Sequence, residues 1–168
     1  MPLQALRGTT DLLPKDVEAW QVIEQTAGKI ARRYGYGEIR TPILEDVTLF
    51  LRSIGETTDI VQKEMFRFED RGGHEIVLRP EGTASIVRAY LERNLHKTEG
   101  FSKLFYLGPM FRAERPQAGR FRQFQQVGIE ALGLTDPALD AEVVALAWEA
   151  YRRLGLGLMG IHEWLLVR

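Results

Sequence analysis

The strongest constraint on the fold of this chain is a pair of extended runs, about Leu104–Arg112 and Arg120–Ala131, separated by a short loop that contains Pro116 and Gly119. Two strands joined so closely can only pair antiparallel, because a parallel return needs a crossover of a dozen residues or more. A lone two-stranded ribbon is marginal in water, so helices must cover it. The rest of the sequence supplies them. Trp20, Ile23, Ala27, Ile30, Ala31 and Tyr34 recur at helical spacing, with Asp16 and Glu18 at the start and Arg32, Arg33 and Gly35 at the end, which predicts a helix over about 16–34. Thr83 to Asn94 reads as a second helix with Thr83 as its N-cap. Thr135-Asp136-Pro137 opens a third, whose apolar stripe includes Leu139, Val143, Leu146 and Ala150 and which Gly155 ends.

Shorter strands complete the pattern. Ile39–Thr41 reads as a strand stopped by Pro42. Met65–Phe68 and Glu75–Leu78 flank Glu69-Asp70-Arg71-Gly72-Gly73 and read as a hairpin. Pro109, which has no amide donor, is expected to bend the first of the two long strands at Gly108-Pro109. The expected fold class is α+β: an antiparallel β-sheet flanked by helices, in one domain, as 168 residues and 45% apolar composition suggest. Zero cysteines exclude disulfide frameworks, thiol catalysis, zinc ribbons and iron–sulfur clusters, and the three histidines are too scattered for a compact metal box. No apolar run approaches the roughly 20 residues needed to span a bilayer, so no membrane association and a cytoplasmic location are expected.

The net charge of −1 argues against a protein that coats nucleic acid. It conceals a skew: of 22 basic residues, 17 are arginine and five are lysine. Ordinary composition bias accounts for most of these. The set Arg112, Arg115, Arg120 and Arg122 differs, because it surrounds the strand–loop–strand, where forked and permanently charged guanidinium groups suit polyphosphate. At period two, Arg120, Arg122, Phe124, Gln126, Gly128 and Glu130 share one face of the second strand. Gln126 and Glu130 stand about 13 Å apart on that face, with side-chain-free Gly128 between them. One reading is a trough that seats a small molecule with donors at both ends, beside a nucleotide. The other is a bulge or twist at Gly128 on a solvated face.

Phe111-Arg112-Ala113-Glu114-Arg115-Pro116-Gln117-Ala118-Gly119-Arg120-Phe121-Arg122-Gln123-Phe124 closely resembles motif 2 of the class II aminoacyl-tRNA synthetases, in the form found in the histidine-specific family. Arg7-Gly8-Thr9-Thr10-Asp11 resembles that family's N-terminal signature. Tyr36-Gly37-Glu38-Ile39-Arg40-Thr41-Pro42 resembles its dimer-forming motif 1, and Leu78-Arg79-Pro80-Glu81-Gly82-Thr83 its amino-acid-binding loop, although alone that last segment reads as a strand exit and helix cap. The matches are collinear over roughly residues 5–155.

The resemblance implies a class II synthetase-like catalytic core that activates histidine with ATP and Mg²⁺ and transfers it to tRNA. It implies a homodimer formed through the motif 1 region. Arg112 would hold the α-phosphate and stabilise charge in the reaction, Glu114 would contact the adenine end, and Arg120 the terminal phosphates. Glu81 and Thr83 would bind the α-amino group, Gln126 the amino or carboxylate end, and Glu130 the imidazole, with Gly128 as the floor.

The family's motif 3 has no match here. Gly155-Leu156-Gly157-Leu158-Met159-Gly160 fits G-x-G-x-x-G by letter but follows a helix instead of a strand, so it is no dinucleotide loop, and Ile161 stands where motif 3 has arginine. Residues 1–157 thus resemble a partial, truncated catalytic domain and 158–168 an atypical tail. The family's histidine-specific loop and anticodon-binding domain are expected beyond residue 168. Aminoacylation by this chain alone is expected to be severely impaired. Two other readings share the fold: a regulatory subunit of ATP phosphoribosyltransferase, and a non-catalytic dimerising fragment.

Overall fold

The computed structural model describes residues 3–55, 58, 63–115 and 120–155. In chain order the elements are α1 (Pro14–Arg33), β1 (Gly37–Glu38), β2 (Leu44–Asp46), α2 (Val47–Ile54), β3 (Phe66–Glu69), β4 (Glu75–Leu78), α3 (Thr83–Glu92), α4 (Leu95–Thr98), β5 (Ser102–Phe111), β6 (Gln123–Leu132) and α5 (Pro137–Arg153). The fold is α+β, with helices flanking small sheets, and contains the expected antiparallel ribbon. Among the described residues there are two three-stranded sheets instead of one, ordered β1-β5-β6 and β2-β4-β3. β1 lies parallel to β5, a pairing reached through the intervening helices and hairpin.

β5 and β6 pair without interruption from Ser102↔Leu132 to Phe111↔Gln123. Pro109 does not break the ladder. Odd-numbered residues of β5 turn their backbone polar groups away from β6: Phe105 O accepts from the Ile39 N–H at 2.9 Å, and the Phe111 N–H donates to Arg79 O at 3.0 Å. Pro109 therefore sits where β6 requires no donor, an edge-like position that proline tolerates. The strand expected over Ile39–Thr41 lies earlier, at Gly37–Glu38, with the Ile39 amide making the last link to β5.

Both faces of this sheet are covered. Phe105, with Leu107 and Ile129 beside it, packs against Ile30 and Ala31 of α1 and Leu146 of α5. On the opposite face Tyr106 and Met110, with Leu104, Phe124 and Leu132, pack against Ile86 of α3. Period-two alternation thus feeds two layers of helix, which accounts for the apolar residues on both faces of β5. The second sheet carries its own cluster, in which Val47 and Phe50 of α2 meet Met65, Val77 and Ala84.

The helix ends follow capping chemistry. Asp136 caps α5 by accepting from the Ala138 N–H at 2.9 Å, with Pro137 in the first turn, as its sequence predicts. The α3 start differs from expectation: Gly82, not Thr83, is the N-cap residue, and the capping acceptor is the Glu81 carboxylate. α2, which no sequence signal marked, is capped by Asp46, whose Oδ1 accepts from the Thr48 N–H at 2.8 Å. Residues 158–168 and most of the 116–120 turn lie outside the described residues.

Candidate active site

β6 places Phe124, Gln126, Gly128 and Glu130 on the sheet face that α3 covers, because the ladder runs through them unbroken. Gln125 falls on the other face. At the Glu130 end, β6 meets the N-terminus of α3. The Thr83 hydroxyl donates to Glu130 Oε1 at 2.8 Å. Glu81 lies alongside, its two oxygens accepting the Thr83 and Ala84 N–H groups at 2.7 and 2.9 Å, where a helix N-terminus favours negative charge. Burial, with the neighbouring Glu81 charge adding to it, pushes Glu130 from its ordinary 4.5 up to about 7, partly offset by the Thr83 hydrogen bond. A carboxyl so placed can carry or release a proton near neutrality.

Gly128 is not the empty floor that the strand pattern suggests. It stands directly opposite Tyr106, and the Tyr106 ring occupies the space a side chain at Gly128 would fill. A Cβ on Gly82 would overlap the same ring, so two glycines from separate elements admit one aromatic side chain. Tyr106 is 6% exposed, and burial together with the Glu130 and Glu81 charges raises its hydroxyl above the usual phenol range. The sequence shows Tyr106 only as one more large residue in a strand; its importance depends on the register that sets it opposite Gly128.

At the other end, Gln126 Oε1 is buried without a hydrogen-bond partner among the described residues. A buried polar atom left unpaired costs about 1–3 kcal/mol, so this oxygen is poised for a donor such as an ammonium. Arg112 follows β5 and turns to the same face. Its Cζ lies 5.3 Å from the Phe124 ring centroid, and its Nε donates to Pro80 O at 3.1 Å, in the segment that carries Glu81. The arginines then converge on Glu114: Arg112 Nη1 at 3.9 Å, Arg120 Nη1 at 3.3 Å, and Arg122 Nε on its backbone oxygen at 3.3 Å. Two guanidinium groups sharing one carboxylate, with a third on the backbone oxygen beside it, leave donor capacity for anionic oxygens. The N-terminal segment joins here, with the Arg122 N–H donating to Gly8 O at 2.7 Å.

Sequence reasoning also missed Arg79. It is 6% exposed, and its bonds are to neutral oxygens: Nε to Pro109 O at 3.0 Å, and Nη1 to Thr41 O at 2.9 Å, Thr41 Oγ1 at 3.1 Å and Pro42 O at 3.3 Å. Burial lowers its pKa. A Cβ on Gly108 would collide with this guanidinium, so Gly108 leaves the room that Arg79 fills. Arg79 ties the Thr41-Pro42 segment to β5, one residue before Pro80, which holds Arg112.

Residues 8–162 match the family Histidyl-tRNA synthetase. The chain is 60% identical over 157 residues to the histidine--tRNA ligase of Geobacillus thermodenitrificans and 59% identical over 156 residues to that of Desulforamulus reducens, covering 93% of this chain in each case. It spans about 37% of the length of these relatives. Among solved structures, apo Staphylococcus aureus histidyl-tRNA synthetase superposes with a TM-score of 0.76 at 40% identity, over 90% of this chain and 35% of that one. A Bacillus halodurans protein described as an ATP phosphoribosyltransferase regulatory subunit/histidyl-tRNA synthetase superposes at 0.79 with 28% identity, over 94% of this chain and 40% of that one. On this sequence match, sustained along most of its residues, the chain belongs to the histidyl-tRNA synthetase family.

Proposed function

We propose that this chain forms the histidine- and ATP-binding part of a histidine–tRNA ligase, in which a histidine carboxylate attacks the α-phosphate of ATP to give the aminoacyl adenylate and pyrophosphate. The adenylate is then attacked by a ribose hydroxyl of the tRNA end. The observation that carries the reading is the single face on which an unpaired Gln126 oxygen, a Glu130 carboxyl titrating near neutrality and the Arg112 guanidinium are gathered. Glu130 receives the imidazole. Glu81, Thr83 and Gln126 take the amino-acid backbone groups, and Gly128 serves by admitting Tyr106 behind them. Arg112 steadies charge on the α-phosphate, Arg120 the terminal phosphates, and Glu114 the adenine end while it spaces the arginines. Such chemistry works by positioning and electrostatic stabilisation without a covalent enzyme intermediate. Magnesium enters as part of the ATP substrate complex. A cytoplasmic location is part of the proposal; no helix among the described residues is long and apolar enough to cross a membrane.

Exposed Ile43 and Leu44 directly follow the motif 1 stretch and support a homodimer formed there. Sedimentation of the chain as a concentration-independent monomer would remove that part of the reading. For the activity itself, residues 8–155 replace the matching segment of the full-length Geobacillus thermodenitrificans ligase. Histidine-dependent exchange of pyrophosphate into ATP is the expected result. A folded chimaera that exchanges nothing, yet binds a phosphoribosyltransferase catalytic subunit, would support the regulatory reading that the Bacillus halodurans likeness suggests.

A further inference from the structure

Arg79 is a buried cation held only by neutral oxygens among the described residues. Its own N–H donates to Ile43 O and its carbonyl accepts from the Phe111 N–H, both at 3.0 Å, while Nε and Nη1 donate to oxygens of Pro109, Thr41 and Pro42. Glu45, a carboxylate whose field reaches Arg79, is bound to Arg88 at 2.7 Å, and burial keeps the Tyr106 phenol protonated. A buried charge is costly without a counter-charge, so Arg79 favours an anion beside it.

The third guanidinium nitrogen is placed to receive one. Nη2 donates to no described residue and lies 2.5 Å from where a Cβ on Gly108 would stand. Gly108 falls between Tyr106 and Met110 on the face that α3 covers, and it pairs directly with Gln126. The Cβ positions of such a pair are about 5 Å apart. A free guanidinium N–H therefore stands across the ladder from the Gln126 Oε1 that has no partner. One is a cationic donor and the other a bare acceptor. An amino-acid carboxylate and ammonium, carried on one carbon, match the two in charge and spacing.

We propose that Arg79 is a substrate-binding residue: Nη2 over Gly108 donates to the carboxylate of the bound amino acid while Gln126 Oε1 accepts from its ammonium group. The assignment rests on the function proposed above and deepens it. One carboxylate oxygen is held by Arg79, which leaves the other to attack the α-phosphate.

The test titrates two ligands calorimetrically: histidine, and histidinol, which has a hydroxymethyl group in place of the carboxylate. Gly108→Ala puts a methyl group where Nη2 sits and spares the acceptors of Nε and Nη1, whereas Arg79→Lys keeps a cation and removes the fork. Relative to the wild-type chain, each variant should weaken histidine by about tenfold or more and histidinol by less than about twofold, as loss of a hydrogen bond to a charged group predicts. Equal losses for both ligands, or no loss for histidine, overturn the proposal and leave Arg79 as a structural tie. A further readout needs no variant. In the wild-type chain carrying nitrogen-15 arginine, histidine should shift the Arg79 Nη2 signal and histidinol should leave it in place; a signal unmoved by bound histidine overturns the proposal too. A wild-type chain that is folded by its far-UV spectrum yet binds neither ligand would instead defeat the proposed function, and this assignment with it.

Discussion

At the Glu130 end of the β6 face the polar groups are committed before any ligand arrives. Thr83 is bound to Glu130, Glu81 is spent on the α3 amides, and Tyr106 is clamped between two glycines. At the Arg112 end the guanidinium groups share one carboxylate. The Arg120 side chain is 59% exposed, and its 3.3 Å contact with Glu114 is a surface ion pair. A small amino acid must be told apart from its relatives by a few fixed, desolvated groups, whereas a triphosphate is recognised by its charge and tolerates adaptable donors. The two ends meet in the Leu78–Thr83 segment, where Pro80 holds Arg112 and Glu81 starts the helix that carries Thr83.

The sharpest way to break this contrast is to release that shared segment. Arg79→Ala removes the buried guanidinium that donates to the carbonyl oxygens of Thr41, Pro42 and Pro109, and should lower stability by about 2–4 kcal/mol in urea unfolding. Binding at both ends should weaken together. A smaller effect separates the two ends by pH. The raised Glu130 carboxyl favours its protonated form in the folded state, so its contribution is fully present below the unfolded value of 4.5 and is lost as pH rises through about 7. Relative to Glu130→Gln, the wild-type chain should therefore lose stability across that window, by at most about 3 kcal/mol, as parallel denaturation curves at pH 4.5 and 7.5 would show. Equal pH slopes for the two proteins would contradict the burial of Glu130.

Gly128→Ala tests the packed end directly. Its methyl group would overlap the Tyr106 ring, so overpacking should cost about 1–3 kcal/mol and shift that ring. The smallest effect belongs to the exposed end. Arg120→Ala should change stability by less than about 0.5 kcal/mol while weakening ATP in a salt-dependent way, because its ion pair with Glu114 is solvent-exposed.

How far the sequence revealed these ends follows the same division. The β5–β6 ribbon, the β3–β4 hairpin and the three long helices were legible, since each depends on local alternation, caps and turn residues. So was the shared face of Gln126 and Glu130, which strand geometry alone dictates. β2 and α2 were not. They are short, and Leu44–Asp46 is a strand because it pairs with β4 across the chain. The Tyr106 ring over Gly128 and the Arg79 guanidinium over Gly108 escaped for a related reason. A glycine in a strand announces a close approach without naming what approaches, and here one visitor is a cross-strand neighbour and the other comes from 29 positions earlier in the chain. The arginine cluster was visible because charge in a loop needs no register to be recognised.

The central claim is that histidine and ATP are held by separate sets of residues on one strand face. Calorimetric titration of each ligand separately into the wild-type chain, Glu130→Gln and Arg112→Ala tests it most directly. The account predicts a crossed result: Glu130→Gln weakens histidine by about tenfold or more and leaves ATP within about twofold, while Arg112→Ala does the reverse. Variants that weaken both ligands equally, or neither, would contradict it.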